Sequence, residues 1–548
     1  MKQAISFLLV GLLSLDGMSQ DLDFLPHYEG YHHIEKQSLT QQQLLFSQFK
    51  PISRSKAAQL FVEDSAIISQ WHPVFQEANE YFYQPSSLKK GLLGKFYKNE
   101  IDFFQLDQED IQLRVNPVWQ FQVGRDAEVE RLLFINSRGL DVRGTIDNKI
   151  SFHTRFLENQ IEFPRYVKQV ADTSGIIPYE GFWKEYNGST TDFLRAFGSL
   201  NVNITPHLSA QVGYGRQFIG NGIRSMLLSD YANSYPYIRV DTEIWKFRYT
   251  NLFATLIADA FTYDQGTLGA SKYPKKHMST HFLDFAVTPK FHIGLFESII
   301  FGQPDSIAPR QFQLEYVNPI IFYRAVEQQD GSSANALLGL TFQWNVAKRW
   351  MAYGQFVLDE MVISELTAGT GWWGNKYAYQ LGIQGYDLFV PNMDVKLEYN
   401  MARPFTYAHQ DHFTAYTHYR HSLAHPFGAN FQELIGQIYY QPTPQVSFTV
   451  HGMLAAYGLD VDEYSSGKNP QRSYNDRAQE YGHQLLQGNR TQLRFFQARA
   501  SYLWKYNLSL DLTGIFRTEY FEQRFPQSQS AIINLGFRWN MPYRNYLF

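Results

Sequence analysis

Ile533-Asn534-Leu535-Gly536-Phe537-Arg538-Trp539-Asn540 alternates apolar and polar residues without a break. Period-two alternation specifies an extended strand with one apolar and one polar face. Shortly afterwards the chain ends on an aromatic, Phe548, as expected where a final strand closes an outer-membrane β-barrel. The same dyad recurs through most of the sequence, joined by short turns. The environment it implies is lipid outside the wall and water within.

Composition fits that geometry. Mean hydropathy is -0.34, and no apolar run is long enough to cross a bilayer as a helix. A barrel strand needs an apolar residue only at every second position, so its average stays polar. The 36 Tyr, 44 Phe and 10 Trp make the chain 16% aromatic, a surplus that interfacial girdles would use. A net charge of -4 gives no basis for nucleic-acid binding. The absence of cysteine excludes disulfides, thiolate metal sites and a lipidated N-terminal cysteine.

Residues 1–19 read as a signal peptide. Lys2 precedes the apolar run Ala4 to Leu13, and Gly17-Met18-Ser19 forms a small-residue cleavage site before Gln20. Residues 20–108 read as a periplasmic, partly helical region. Ser53 is placed to cap a helix carrying Ala57, Ala58, Leu60 and Phe61, and Pro73 to open another with Val74, Phe75, Ala78 and Phe82. Residues 109–548 read as the barrel.

The first clear strand is Ile111 to Gly124, with Leu113, Val115, Trp119, Phe121 and Val123 on the outward face. Eight tight turns are expected at Asp147-Asn148, Pro206-His207, Thr250-Asn251, Pro289-Lys290, Ala347 to Arg349, Pro391-Asn392, Pro442 to Pro444 and Lys505 to Asn507. Eight hairpins plus the first and last strands give about eighteen antiparallel strands and return both termini to the periplasmic side. Longer links at 161–193, 221–236, 302–335, 403–429 and 458–490 would face outwards and carry function.

The sequence Gly215-Arg216-Gln217-Phe218-Ile219-Gly220-Asn221-Gly222 leaves a dyad and leads to Ser225 and Asn233. Its glycines permit sharp bends, either for a loop folded into the lumen or for a loop ordered by its own packing. Either way Arg216, Gln217, Asn221, Ser225 and Asn233 are candidate lumen or loop residues. Gln355 and the pair Asp359-Glu360 join them. As adjacent strand residues, those carboxylates point to opposite faces, which favours a structural ion pair over acid–base work or calcium binding. His409, His412, His418, His421 and His425 fall in one loop with Arg420. Their irregular spacing favours hydrogen bonding among aromatics over a metal site. Asp460, Asp462 and Glu463 form a further acidic group that could hold a cation.

The order of the glycine-rich loop, Ser225-Met226-Leu227-Leu228-Ser229, Tyr353-Gly354-Gln355, Asp359-Glu360 and the tract Tyr419 to Asn430 resembles the capsule-assembly Wzi family of outer-membrane barrels, and within it the RemB-like gliding-motility proteins. The resemblance implies an eighteen-stranded barrel with an N-terminal helical bundle, no enzymatic activity and no cofactor. The partners it implies are outer-membrane lipid and either a surface polysaccharide or proteins of the gliding and secretion machinery. A porin or solute-specific channel is the alternative. No Gly-x-Ser-x-Gly nucleophile elbow occurs.

Overall fold

The computed structural model describes residues 30–53, 56, 60, 102–147, 149–258, 274–302, 334–461, 463–504, 507–522 and 527–548. The proposed signal peptide and most of residues 54–101 lie outside them, including the Pro73 helix. So do Asp462 and nearly all of the link 302–335.

Eighteen antiparallel strands close into one barrel. They are β1 (Ile111–Asp126), β2 (Val129–Ile146), β3 (Ile150–Glu162), β4 (Thr190–Thr205), β5 (Leu208–Gly215) and β6 (Tyr235–Ile244). Then come β7 (Phe247–Ile257), β8 (Lys275–Thr288), β9 (Phe291–Phe301), β10 (Asn335–Ala347), β11 (Trp350–Glu360) and β12 (Lys376–Gly385). The last six are β13 (Met393–Ala402), β14 (Phe431–Thr443), β15 (Val446–Leu459), β16 (Asn489–Leu503), β17 (Leu508–Phe521) and β18 (Ser528–Trp539). Closure joins β18 to β1, with Phe537 opposite Phe121 and Trp539 opposite Trp119.

The dyad sorts side chains as the sequence requires. In β18, Ile533 and Leu535 are 67% and 60% exposed, whereas Asn534 and Arg538 between and beyond them are buried. Leu140, Leu194, Ile238, Leu340, Leu381, Leu454 and Leu512 continue the exposed apolar belt around the wall. A water-soluble surface does not carry a continuous belt of that extent; this is a lipid-facing wall. Trp245, Trp344, Trp350 and Trp504 are exposed near the short-turn end, the position of an interfacial girdle. The pairings of Leu200 with Val212 and of Leu283 with Leu295 follow the hairpins read from the sequence.

Four expectations require correction. The third hairpin turns at Trp245-Lys246, where Trp245 takes φ 56°, and Thr250 and Asn251 lie inside β7. Thr250 faces the lumen and donates to Asp241 (2.6 Å); in a polar interior Thr and Asn do not punctuate a strand. An N-terminal helix that the sequence reading did not mark is α1 (Tyr31–Gln41); the helix expected after Ser53 lies mostly outside the described residues, and Ser53 Oγ accepts the Lys56 N–H (3.3 Å). A further long link, 361–375, carries the short α3 (Ile363–Ala368); α2 (Arg165–Ser174) lies in the link after β3.

The fourth concerns Phe548. Beyond Trp539 the chain turns into the lumen, and Phe548 is 5% exposed, its ring 5.8 Å from that of Tyr166. The outer seam is closed by Trp119 and Phe537 instead, edge to face at 4.8 Å.

Candidate functional site in the barrel lumen

The glycine-rich loop folds inward, and the segment 216–234 fills the centre of the barrel. Its apolar residues Ile219, Met226, Leu227 and Leu228 are fully buried. Gly220 takes φ +127°, and a Cβ there or at Gly222 would collide with Gln355 or Glu398 respectively. Glycine is thus required by both conformation and close approach.

From the short-turn end the N-terminal segment meets this loop. Phe49 and Lys50 pair antiparallel with Ile219 and Phe218. Luminal side chains hold the segment on the way in. Arg248 donates to the Phe46 carbonyl (3.1 Å), Ser47 to Gln343 (3.0 Å), and Gln48 to Asp284 (3.1 Å). Lys36 of α1 pairs with Asp387 at 2.7 Å. The lumen is therefore occupied from both ends.

The central loop is held by a polar hub on β11 to β14. Gln355 accepts the Met226 N–H (2.7 Å) and donates to the Ile219 carbonyl (2.8 Å). Glu398 accepts the N–H groups of Ile223 (2.8 Å) and Arg224 (3.1 Å), and Gln380 donates to the Arg224 carbonyl (2.9 Å). Arg224 forms an ion pair with Glu433 (3.0 Å), both buried. Asn400 donates to both Glu398 and Glu433 (2.7 and 2.9 Å). A buried ion pair requires such additional hydrogen bonds to offset its desolvation.

The residues singled out in the sequence distribute around this plug. Arg216 donates to the Tyr179 and Asp230 carbonyls (3.3 and 2.8 Å), and Gln217 accepts from Arg239 (3.1 Å). Asn221 donates to Glu35 and Ser47 (3.2 and 2.9 Å), and Ser225 to the Ile219 carbonyl (2.6 Å). Asn233 caps its own neighbour, accepting from the Ser234 N–H (2.7 Å). Asp359 pairs with a lysine, Lys376 (2.9 Å), and accepts the Tyr407 N–H; Glu360 lies 3.5 Å from the same ammonium and is half-buried. Burial acts against ionisation of Glu35, yet Lys50 (3.2 Å) and Asn221 hold its carboxyl below the ordinary range.

The histidine loop packs over the plug. Ser229 N–H donates to the Leu423 carbonyl (2.7 Å), and Tyr407 OH to that of Met226 (2.7 Å). Its histidines go to separate partners. His409 bonds Thr414 (2.7 Å), His418 accepts the Ile257 N–H (3.0 Å), His421 lies against the Tyr231 ring, and His425 bonds Glu433 (2.9 Å). Arg420 donates to the Ser174 carbonyl (2.7 Å). Burial pushes His418 and His421 down to about 3 and His425 to about 4. Asp460 forms an ion pair with Arg472 (2.8 Å).

Sequence reasoning missed Arg224, Gln380, Glu398 and Glu433, the centre of the hub. A usable signal was the inward phase of the dyads: Gln380, Glu398, Asn400 and Glu433 are polar residues at inward positions of adjacent strands.

A second feature lies at the long-loop rim. Trp373 packs tilted against Tyr474 (4.6 Å), carries the Arg477 guanidinium at 4.2 Å and donates to Glu480 (2.8 Å). Beside it is a cavity of about 230 Å3 lined by Glu365, Thr370, Asn375, Arg403, His483 and Gln484, among others. Tyr464 and Tyr481, on the link 458–490, stand exposed.

No family model and no curated protein matches the sequence. Among solved structures the chain is similar to Wzi of Escherichia coli, an outer-membrane protein involved in group 1 capsule assembly and a carbohydrate-binding β-barrel. The TM-score is 0.57 at 12% identity, over 96% of this chain and 100% of Wzi. OprD of Pseudomonas aeruginosa matches at a TM-score of 0.42 and 10% identity, over 78% of this chain and 94% of OprD. The likeness to Wzi is one of fold.

Proposed function

We propose that this chain is a non-enzymatic outer-membrane barrel that works through its outer loops, attaching surface polysaccharide or serving surface gliding as RemB-like proteins do. The observation that carries this reading is the filled lumen, which leaves the loop rim as the accessible polar surface. There, Tyr464 and Tyr481 supply exposed aromatic faces on which sugar rings stack, Trp373 and Tyr474 form a half-buried aromatic base beneath the rim, and the cavity beside them supplies carboxylate, amide and guanidinium partners for hydroxyls. The likeness to Wzi supports the polysaccharide arm. The outer membrane is the location that the apolar belt and this fold support, with the short turns on the periplasmic side; the C-terminal tail turns back into the lumen, so the expectation of two periplasmic termini does not hold for Phe548.

A clean deletion strain tests the reading. Shed polysaccharide with normal motility selects the attachment role, and lost spreading with capsule retained selects gliding. If neither changes and uptake of one solute falls, the chain is a solute-specific channel, a reading favoured by the cavity left beside the plug. For the polysaccharide arm, Tyr481→Ala should weaken glycan retention by about tenfold, the loss of one stacking face.

A further inference from the structure

On the short-turn side of the central loop, a partly enclosed chamber of about 280 Å3 remains between α1, the wall and the C-terminal tail. At a liquid share of about 30 Å3 for each water, it holds about nine waters, room for a sugar ring bearing a charged group. Its lining contributes eight Lys and Arg side chains against four Asp and Glu. Asp141 and Glu433 pair with Arg155 (2.7 Å) and Arg224 (3.0 Å) from outside the lining, so two positive charges remain in excess.

The excess sits on groups whose contacts are neutral. Arg216 donates to backbone carbonyls. Arg544, in the tail, donates one amino group to the Asn159 amide oxygen (2.6 Å) and lies beside the Tyr546 hydroxyl, so its contacts carry no countercharge. His451 on β15 is 4% exposed, lines the chamber, and leaves Nδ1 buried and unbonded. Phe197, Tyr543 and Tyr546 also line it, and the Phe197 and Tyr543 rings already carry the Arg155 and Arg499 guanidinium groups (5.6 and 4.2 Å). Planar guanidinium donors match the two oxygens of a carboxylate or phosphate, and aromatic faces match the apolar face of a sugar.

We propose that this chamber is a binding site for an oxyanion carried on a small saccharide, a sugar acid or a sugar phosphate, held by Arg544, Arg216 and His451. It is separate from the rim cleft and stands whether the outer loops serve polysaccharide attachment or gliding.

Isothermal titration of the full detergent-solubilised chain with glucuronate, glucose 6-phosphate, inorganic phosphate and glucose tests it. Glucuronate or glucose 6-phosphate should bind and glucose should not. Arg544→Gln should weaken binding by about tenfold, the loss of one charge-assisted hydrogen bond, with Arg544→Lys falling between. Thermal unfolding of each variant checks that the tail still packs in the lumen; His451→Gln gives an independent second variant. Inorganic phosphate binding as tightly as the sugar phosphate, with the same Arg544 dependence, would keep the oxyanion site and overturn the saccharide part. Binding of glucose equal to glucuronate, absence of anion binding at about 10 mM, or indifference to both variants would overturn the proposal.

Discussion

Arg224→Ala should unlock the plug. The guanidinium forms the ion pair with Glu433 and also donates to the Leu547 carbonyl, tying the central loop to the wall and to the tail. Without it, Glu433 stays buried with only His425 and Asn400 as partners. Removing one member of a buried pair costs about 3–5 kcal/mol. The Gln355, Glu398 and Gln380 bonds remain, so the barrel itself should assemble. A loss of that size raises the fraction of molecules with the loop displaced by roughly two to four orders of magnitude. In planar bilayers the natural protein should be nearly silent, and Arg224→Ala should show openings of a porin-sized barrel. A Glu433→Leu, Arg224→Met double variant removes both charges and should return most of the silence. Equal silence from Arg224→Ala, with unchanged thermal unfolding, would refute the assignment of this pair as the lock.

Three further outcomes follow from the same contacts. His418 and His421 stay neutral in the folded chain, held down by burial to about 3 against 6.5; stability is therefore present above pH 6.5 and lost as the pH falls below it. The loss is about 2 kcal/mol for each at pH 5, so thermal unfolding should show that slope and His418→Gln should flatten it. Gly220→Ala should cost about 1–3 kcal/mol locally, because a side chain is strained at φ +127° and meets Gln355; faster protease cleavage at Arg224 is the readout. Phe548→Ala should destabilise the luminal packing by about 3–5 kcal/mol while the strand ladder still forms, because Phe548 packs inside the barrel on Tyr166 and not on the outer seam; heat-modifiable migration on gels distinguishes this from failed assembly.

The outer loops and the luminal plug divide the work of such a barrel. Inside, polar side chains from adjacent strands converge on backbone groups of a glycine-rich segment, whose lack of side chains allows the close approach. Outside, links free of the ladder leave Tyr464 and Tyr481 exposed.

The sequence by itself determined the wall. Side-chain direction in a strand alternates locally, so Ile533, Leu535 and Phe537 could be assigned to lipid and Asn534 to the lumen from eight consecutive residues. Short turns counted the strands, and glycines at 220 and 222 marked a segment with unusual backbone demands. What only the tertiary structure decided is what fills the barrel. Arg224 and Glu433 are 209 positions apart, and Lys36 and Asp387 351 apart. No local period encodes which luminal carboxylate meets which loop. Thr250 shows the same limit at short range: a polar residue reads as a turn until the polar interior that satisfies it is known. Phe548 shows it at the chain end, because whether an aromatic terminus lies on the outer seam or turns inward depends on space left by α2 and the central loop, which exists only once the barrel has closed.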